Sequence, residues 1–397
     1  MERRAEWQSG FTSGGVSSIR VVTYVYFRLF VLLMHIAIMV PRFTIGGFER
    51  VLTLLARGMS ELGHRVDIVT LNASGPLLAE FGTKVNVVEL GTDRMLYALP
   101  AMLSYIRANQ PDVMISGLRY GNVAALLCKG LMLFEKHRPR FIATIHNNMT
   151  LVYEQAVSIK ERLLIRTLDN GLRWFDRVVC VSEGVKEDVE IRASGHLPEV
   201  SVIYNPVIYP EIDSMATHNV ELPWDRSKVK IILSVGRFVK QKDFLTLVRA
   251  FRLLLDRCPD ARLILVGDGP CREEIVAQIQ ENGLCDYVYL PGYDANPYKY
   301  MNCADMFVMS SKWEGMGITL VEALYFRLKI VATDCKSGPR EVLKDGEYGK
   351  LANVGDTEGL STSMYEVLKN ETSTPCPSET LNTYSYLNVA KRYEAIL

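Results

Sequence analysis

Two glutamates stand in the stretch SSKWEGMGITLVEALYF (310–326), at positions 314 and 322. If a helix begins near Gly317, Glu314 lies in the loop before it and Glu322 in its second turn. The first amides of a helix have no partner within it and lie at its positive end, so they favour a phosphate. Carboxylates accept hydrogen bonds from sugar and ribose hydroxyls. The stretch therefore predicts a site for a phosphorylated sugar, unless Glu322 is an ordinary surface residue of an amphipathic helix.

Three cations follow a predicted strand in SVGRFVKQKDF (234–244), in which the strand ends at Gly236. Arg237, Lys240 and Lys242 come just beyond that end. Arginine binds phosphate oxygens with a fixed planar fork, and lysine acts as a point charge. We predict that Arg237 and Lys242 bind phosphate, while the role of Lys240 stays open. A solvated basic loop is the alternative interpretation.

Two further features follow predicted strands. Gly46 and Gly47 would let the backbone approach a ligand closely, and the start of the next helix would favour an anion such as a diphosphate. A tight strand-to-helix turn explains the glycine pair equally well. His146, in ATIHNN (143–148), lies where it could bond a sugar hydroxyl or assist proton movement, or cap a loop.

A metal site is not indicated. No D-x-D sequence occurs in the chain, and no Cys/His cluster has the spacing of zinc ligands. A diphosphate would then have to be stabilised by cationic side chains and helix amides. We therefore expect neither a metal nor another cofactor.

The elements that must position these residues alternate along the chain. From Met34 onward, short runs rich in Val and Ile alternate with longer helical patterns, which is typical of parallel sheets with crossover helices. The predicted strands are 35–40, 65–70, 112–116, 141–145, 177–182 and 200–203, then 230–236, 262–267, 287–290, 306–310 and 330–333. The predicted helices include 49–62, 99–109, 159–175, 245–256, 272–282, 317–326 and 385–397.

The chain of 397 residues is long enough for two domains. The alternating pattern breaks at 205–228, which carries three prolines, and then restarts. The prediction is α/β, with two doubly wound Rossmann-like domains facing a central cleft, because parallel sheets bind ligands beyond the carboxyl ends of their strands. The predicted parts are an extension at 1–33, a first domain at 34–206, a linker at 207–228, a second domain at 229–380 and a C-terminal helix at 381–397.

Composition excludes several classes of protein. Lys+Arg and Asp+Glu balance at 45 each, whereas a polyanion-binding protein would be more basic. Eight cysteines are scattered without a C-x-x-C pair, so a disulfide framework is not indicated and a reducing cytosol fits best.

Residues 21–40 are nearly all apolar, interrupted by Arg28 and His35, so they could form a signal anchor. We favour a division instead, with 35–40 as the buried first strand and residues 1–33 as an accessory extension. Arg28 weakens a membrane span, and Met34 begins a well-formed domain, so Met34 could be the translation start.

Together these residues resemble the family 4 glycosyltransferases of GT-B fold, from about Met34 to the end. The most specific matches are E-x7-E at Glu314 and Glu322, GRFVKQKD at 236–243 and VATDCKSGPREVLKDGEYG at 331–349. Supporting matches are GGFERV at 46–51, DRVVCVSEGVKED at 176–188, IYNPV at 203–207 and LVGDGP at 265–270.

The resemblance implies a role for each site residue. Arg237 and Lys242 would bind the diphosphate, with Gly47 and its neighbour Gly46 approaching from the other domain. Glu322 would bind the ribose hydroxyls, and His146 would lie near the donor sugar. The donor sugar itself would be held by Glu314 and by the backbone of Met316, Gly317 and Ile318, and the pocket for the base would include Tyr293.

The resemblance also implies retention of anomeric configuration. In the family picture, the leaving phosphate oxygen accepts the acceptor's proton, so orientation and charge stabilisation carry catalysis. One departure is the run YFRLK at 325–329, where the family has a small residue and Gly. Without that Gly the helix lacks its usual left-handed stop, so we expect a differently built turn.

We expect a metal-independent transferase that moves a hexose or N-acetylhexosamine from a UDP- or GDP-sugar to a lipid-linked or polysaccharide acceptor. It would act in the cytoplasm, with peripheral contact to anionic lipid on the cytoplasmic membrane face through KHRPR at 136–140 and through Arg162, Arg166 and Arg173. A solvated basic face explains these cations as well. The alternatives are a nucleotide-sugar epimerase or hydrolase of the same fold, and a catalytically silent scaffold.

Overall fold

The computed structural model describes residues 33–41, 46–75, 85–193, 195–369 and 374–397. The expected N-terminal extension lies outside these residues apart from Leu33, and so does most of the apolar run at 21–40. Among the described residues, no helix is long and apolar enough to cross a membrane.

The first half of the chain forms a parallel sheet of seven strands in the order β3-β2-β1-β4-β5-β6-β7. Its strands are β1 His35–Met39, β2 Arg65–Thr70, β3 Val85–Glu89, β4 Val113–Gly117, β5 Arg140–Ile145, β6 Arg177–Cys180 and β7 Val200–Val202. The central strands read as continuous apolar runs because helices cover both faces of such a sheet. Every residue of β1, for example, is buried.

The second half forms a parallel sheet of six strands in the order β10-β9-β8-β11-β12-β13. Its strands are β8 Lys230–Val235, β9 Ala261–Val266, β10 Val288–Gly292, β11 Met306–Met309, β12 Lys329–Thr333 and β13 Lys350–Ala352. In both sheets the strand order reverses beside the first strand, and ligands of doubly wound folds bind at that point.

The helices of the first half are α1 Gly47–Glu61, α2 Leu99–Asn109, α3 Leu118–Leu131, α4 Met149–Glu154, α5 Ile159–Gly171 and α6 Glu183–Arg192. Those of the second half follow α7 Ile212–Ala216 and are α8 Phe244–Leu255, α9 Arg272–Glu281, α10 Tyr298–Met301, α11 Ile318–Tyr325, α12 Pro339–Val342, α13 Thr357–Lys369, α14 Ser378–Asn382 and α15 Tyr386–Glu394. The prediction of two doubly wound α/β domains is confirmed.

Two strands and several helices were not predicted. The edge strand β3 is half-exposed, so its sequence VNVVE lacks a continuous apolar run. Strand β13 has only three residues. Helix α3 was missed because Gly121 and Gly130 interrupt its pattern, yet its buried stripe still packs on the sheet.

The expectation of a different turn after α11 is wrong. Arg327 adopts the left-handed conformation, with φ 56°, that a glycine would normally take. Its amide donates to Leu324 O at 3.0 Å, and the amide of Leu328 donates to Ala323 O at 3.0 Å. These two bonds are the pair that closes a Schellman motif, so the helix stop is intact and the backbone strain falls on an exposed arginine.

The C-terminal helix α15 returns to the first domain and packs against α1. A Cβ on Gly58 of α1 would lie 2.7 Å from Ala390 Cβ, so only a glycine allows this approach. The buried His64 ring lies 3.1 Å from Glu394 Oε1. The segment where we predicted a linker also packs closely, with Tyr209 and Ile212 buried.

Candidate active site between the two domains

The carboxyl ends of β8 and β11 lie side by side, because these strands pair in parallel. After β8 comes Arg237, which is exposed, and then a single 3-10 turn at Lys240–Lys242. After β11 comes the loop 310–317, which leads into α11. Ser310 Oγ donates to Lys242 O at 2.8 Å and holds the turn against the loop.

Lys242 and Glu314 form an ion pair at this edge. Lys242 Nζ lies 2.5 Å from Glu314 Oε1, and the hydroxyl of the buried Ser311 donates to the same oxygen at 2.5 Å. The Glu314 side chain is 7% exposed and that of Lys242 is 22% exposed. The structure thus brings together a cation and a carboxylate that the sequence placed 72 residues apart.

Glu322 points into a buried network that reaches the other domain. Tyr298, on α10, donates its hydroxyl to Glu322 Oε1 at 3.1 Å and accepts from the Arg50 guanidinium of α1 at 3.2 Å. Burial raises the pKa of Glu322 to about 7, while the positive charge of Arg50 and the Tyr298 hydroxyl act in the opposite direction. Glu322 is therefore a buried carboxyl and not a surface residue of an amphipathic helix.

The start of α11 meets the glycine pair of the first domain. Gly317 caps the helix in the left-handed region, with φ 88°, and Ile318 begins it. A Cβ on Gly47 would lie 3.2 Å from Ile318 Cδ1, so the two domains approach closely here. Gly46 is the N-cap of α1 and lies against the Glu49 side chain. Met316 is buried, and its sulfur accepts a hydrogen bond from the backbone amide of Asn205 at 3.3 Å.

His146 lies on the first-domain side, directly after β5. Its Nε2 is 2.9 Å from Thr144 Oγ1, and its ring meets Phe48 edge-on with centroids 4.8 Å apart. Burial lowers the pKa of His146 to about 4, and a hydrogen bond with the Asn205 side chain opposes this shift. A Cβ on Gly315 would lie only 1.9 Å from His146 O, so the loop of Glu314 touches the loop of His146.

A cavity of about 460 Å³ opens between these loops. Most of its wall comes from the first domain, and Arg237, Gln241 and Trp313 close it from the second domain. His146 lines it as well. The cavity therefore joins the cationic edge of the second sheet to the first domain.

Most of the predicted site residues converge on the edge of the second sheet. Tyr293 follows β10 and is 46% exposed. Sequence reasoning missed Tyr298 and Trp313. Tyr298 is the buried partner of a residue 24 positions away and carries no local pattern, whereas Trp313 stands beside Glu314 and could have been singled out as an aromatic next to a site residue.

Comparison with known proteins assigns each half of the chain to a family. Residues 223–384 match the family described as glycosyl transferases group 1, and residues 45–208 match glycosyltransferase family 4. Between them the two matches include every predicted site residue.

Two curated relatives illustrate the range of similarity. The N-acetylgalactosamine-N,N'-diacetylbacillosaminyl-diphospho-undecaprenol 4-alpha-N-acetylgalactosaminyltransferase of Campylobacter jejuni is 33% identical over 49% of this chain and 52% of its own length. The amylovoran biosynthesis glycosyltransferase AmsD of Erwinia amylovora is 26% identical over 82% of this chain and 87% of its own. The chain spans 52 to 60% of the length of the first three curated relatives that it matches.

Among solved structures, Anabaena HepE in complex with UDP and glucose superposes with a TM-score of 0.74. It is 19% identical, and the match covers 91% of this chain and 99% of that one. This likeness shows that the two share a fold.

Proposed function

Because the chain belongs to the family 4-like glycosyltransferases of GT-B fold, we propose that it transfers a hexose or N-acetylhexosamine from a nucleotide diphosphate sugar to a lipid-linked or polysaccharide acceptor. The transfer retains the anomeric configuration and needs no metal ion. Its site is the cleft edge between α11 and the turn at Lys240–Lys242.

The observation that carries this proposal is the pairing of Lys242 with Glu314 at the mouth of the cleft. A lysine held at 2.5 Å by a carboxylate is fixed in position before any ligand arrives, and Arg237 stands exposed on the same edge. Two cations in this place would neutralise a diphosphate, and the first amides of α11 supply further donors. Glu322, in the second turn of α11, would accept from ribose hydroxyls.

The chemistry that follows from this arrangement is a same-face substitution. The bond between the anomeric carbon and the diphosphate oxygen breaks, the acceptor oxygen bonds to that carbon from the same face, and its proton passes to the leaving phosphate oxygen. Arg237 and Lys242 stabilise the negative charge that develops on the diphosphate. His146, whose pKa is lowered to about 4, stays neutral at pH 7 and acts as a hydrogen-bond partner of the sugar.

The donor nucleotide and the acceptor class rest on the relatives. HepE is described in complex with UDP and glucose, which supports a UDP-sugar donor over a GDP-sugar donor. The Campylobacter relative is named for a diphospho-undecaprenol substrate, which supports a lipid-linked acceptor. The cavity beside the cationic edge leaves space for an acceptor, which an epimerase or hydrolase would not need.

The test is turnover of a panel of UDP- and GDP-sugars in the presence of EDTA. Prenyl-diphosphate-linked N-acetylhexosamines and free oligosaccharides would serve as acceptors, and the product anomer would be assigned by NMR. We expect retained configuration in the wild type and losses of at least about 100-fold in Lys242→Ala and Glu322→Ala. Lys240→Ala is the matched control, because Lys240 is exposed on the same turn.

Activity that disappears with EDTA would refute metal independence, and an inverted product would refute the mechanism. If UDP and GDP both fail to bind the wild type, the donor site is wrong and the scaffold alternative replaces it.

The proposal includes contact with an anionic membrane surface, on the cytoplasmic side. Large exposed apolar side chains concentrate on α3, α5 and the loops at their ends, and α3 packs against α5. We call this surface the apolar face; it consists of Leu127, Leu131, Leu133, Phe134, Val157, Ile159, Leu163 and Trp174. Exposed cations border it, at Lys136, Arg138, Lys160, Arg162, Arg166 and Arg173. Apolar side chains mixed with cations are the composition that binds an anionic bilayer.

Some of the basic side chains that we expected to contact lipid bond to backbone carbonyls of the protein instead. Within 136–140, His137 bonds to Pro111 O at 3.0 Å and Arg140 donates to Ile396 O at 3.3 Å. Flotation with phosphatidylcholine vesicles, with and without phosphatidylglycerol, tests the contact. We expect binding only with the anionic lipid, weakened by salt and by the double change Leu131→Ser with Phe134→Ser. Leu253→Ser, on the second domain, is the control, and equal loss in it would contradict the proposal.

A further inference from the structure

The start of helix α6, in the first domain, bonds to two loops of the second domain. Ser182 caps the helix and is fully buried, and its hydroxyl accepts from Val185 N at 3.2 Å and donates to Gly315 O at 2.6 Å. The backbone amide of Glu183, the first residue of the helix, donates to both carboxylate oxygens of Glu341, at 3.1 and 3.0 Å. One helix start therefore fastens two separate loops across the domain boundary.

The first of these loops carries the backbone that we expect to hold the donor sugar. Gly315 lies between Glu314, which pairs with Lys242, and the segment 316–318. A peptide bond is planar, so a hydrogen bond to Gly315 O also sets the direction of the amide N–H that follows it. The hydroxyl of Ser182 thus orients the first amide of that segment from the other domain.

The second loop packs between α6 and the first loop through a turn with unfavourable backbone angles. Ser337 and Gly338 adopt φ of 64° and 99°. A Cβ on Gly338 would overlap Met316 O, and a Cβ on Gly184 of α6 would lie 2.9 Å from Ser337 Cα. A non-glycine residue persists in the left-handed region only where its surroundings hold it there, and such residues cluster at functional sites. Glu341, at the end of this turn, ties it to α6.

We propose that Ser182 and Glu341 are positioning residues for the donor sugar, which act across the domain boundary by fixing the peptide plane between Gly315 and Met316. The inference rests on the proposed function and adds two residues that act through this loop. Other groups, on the second domain, are assigned to the diphosphate and the ribose. Loosening the contact with α6 should therefore weaken the binding of the sugar part of the donor and spare the binding of UDP.

The test compares the affinities of the full chain for UDP, UDP-glucose, UDP-galactose and the two UDP-N-acetylhexosamines by isothermal titration calorimetry. Ser182→Ala should weaken the binding of the UDP-sugars that the wild type binds about fivefold, as expected for one lost hydrogen bond, and should leave UDP affinity unchanged. Glu341→Ala should act in the same direction. Ser158→Ala is the matched control, because Ser158 caps α5 by accepting from Glu161 N at 3.2 Å and is exposed.

Hydrogen exchange gives a second measurement that needs no ligand. The amide of Glu314 donates to Lys336 O at 3.2 Å, so the order of this loop is visible in its exchange. Peptides that cover 312–320 should exchange faster in Ser182→Ala than in the wild type, although the substitution lies in the other domain. The same peptides should exchange at the wild-type rate in Ser158→Ala.

The outcomes separate this inference from the proposed function. If Ser182→Ala weakens UDP and the UDP-sugars equally, or weakens neither, the inference is overturned and the donor site stands. Unchanged exchange at 312–320 would also overturn it, as would a wild type that binds UDP but none of the UDP-sugars. If UDP itself does not bind the wild type, the proposed function fails first. Circular dichroism reports whether each variant has folded, and Glu341→Ala, at a half-buried side chain, carries the same test if Ser182→Ala has not.

Discussion

Replacing Glu322 with glutamine should stabilise the protein above neutral pH. Glu322 is 6% exposed, and burial raises its pKa from 4.5 to about 7. The folded state therefore holds this proton more tightly than the unfolded state. Each unit of pKa difference corresponds to about 1.36 kcal/mol, so the ionised carboxylate costs the fold about 3 kcal/mol.

The sign of the effect sets the pH window. Below the unfolded pKa of about 4.5 the carboxyl is protonated in both states, and the wild type carries no penalty. The penalty grows as pH rises and is complete above the folded pKa of about 7. The side chain of Glu322→Gln keeps an oxygen that accepts the hydrogen bond of the Tyr298 hydroxyl, and its amide group does not ionise. We expect the free energy of unfolding of this variant to exceed that of the wild type by about 3 kcal/mol at pH 8, and the difference to disappear toward pH 4.5.

Urea unfolding of both proteins at several pH values between 5 and 8 measures this difference. Glu379→Gln, at an exposed glutamate, is the control and should show no such trend. Equal stabilities at pH 8, or a difference that does not change with pH, would refute the reasoning. If Glu322 binds the ribose as proposed, the same variant should bind UDP about five- to tenfold more weakly at pH 8. The charged carboxylate that accepts the ribose hydrogen bonds is then replaced by a neutral amide.

Three further changes test the packing around the site. Arg327→Gly should stabilise the protein by about 1 kcal/mol in urea unfolding, because it removes a side chain from the left-handed region at φ 56°, whereas Arg327→Ala should give no gain. Gly58→Val should displace α15, because even a Cβ at position 58 would lie 2.7 Å from Ala390 Cβ, and limited proteolysis should then cleave within 374–397. Gly130→Val is the control, because a Cβ at position 130 would have nothing within 4 Å. Equal cleavage of the two variants would contradict the packing argument. Tyr298→Phe removes the hydroxyl donor of Glu322, so its stability deficit in urea should widen as pH rises through 7, and a deficit independent of pH would contradict the assignment.

The fold could be predicted from the sequence because its signal is local. Central parallel strands are buried on both faces and read as continuous apolar runs, as in His35–Met39 and Lys230–Val235. Strands at the edges of the sheets lack that signal: Val85–Glu89 is half-exposed, and Lys350–Ala352 is too short to show a pattern.

The candidate site could be predicted in part. Glu314, Glu322, Arg237 and Lys242 stand at recognisable positions after strands, so their common edge follows from topology. Tyr298 could not be found in this way, because its hydrogen bond to Glu322 depends on where the folded chain places α10 relative to α11. Trp313 Nε1 and Asn147 Oδ1, which have no hydrogen-bond partner within the described part of the chain, are equally invisible in the sequence, since the surroundings of a buried polar atom are known only from the structure. The helix stop at Arg327 shows the reverse error, in which a missing glycine wrongly suggested a new turn.

The polar groups in the cleft work against the stability of the empty protein. Ionised Glu322 is buried, and the Thr319 hydroxyl at the start of α11 has no partner among the described residues, as is also true of Trp313 Nε1 and Asn147 Oδ1. Arg177 Nη1, Arg262 Nε and Asn296 Oδ1 also lack a hydrogen-bond partner among the described residues, and none of these three residues lines the cavity. A ligand that binds the cleft of the folded state alone raises the free energy of unfolding, by an amount that grows with the logarithm of its concentration once that concentration exceeds Kd.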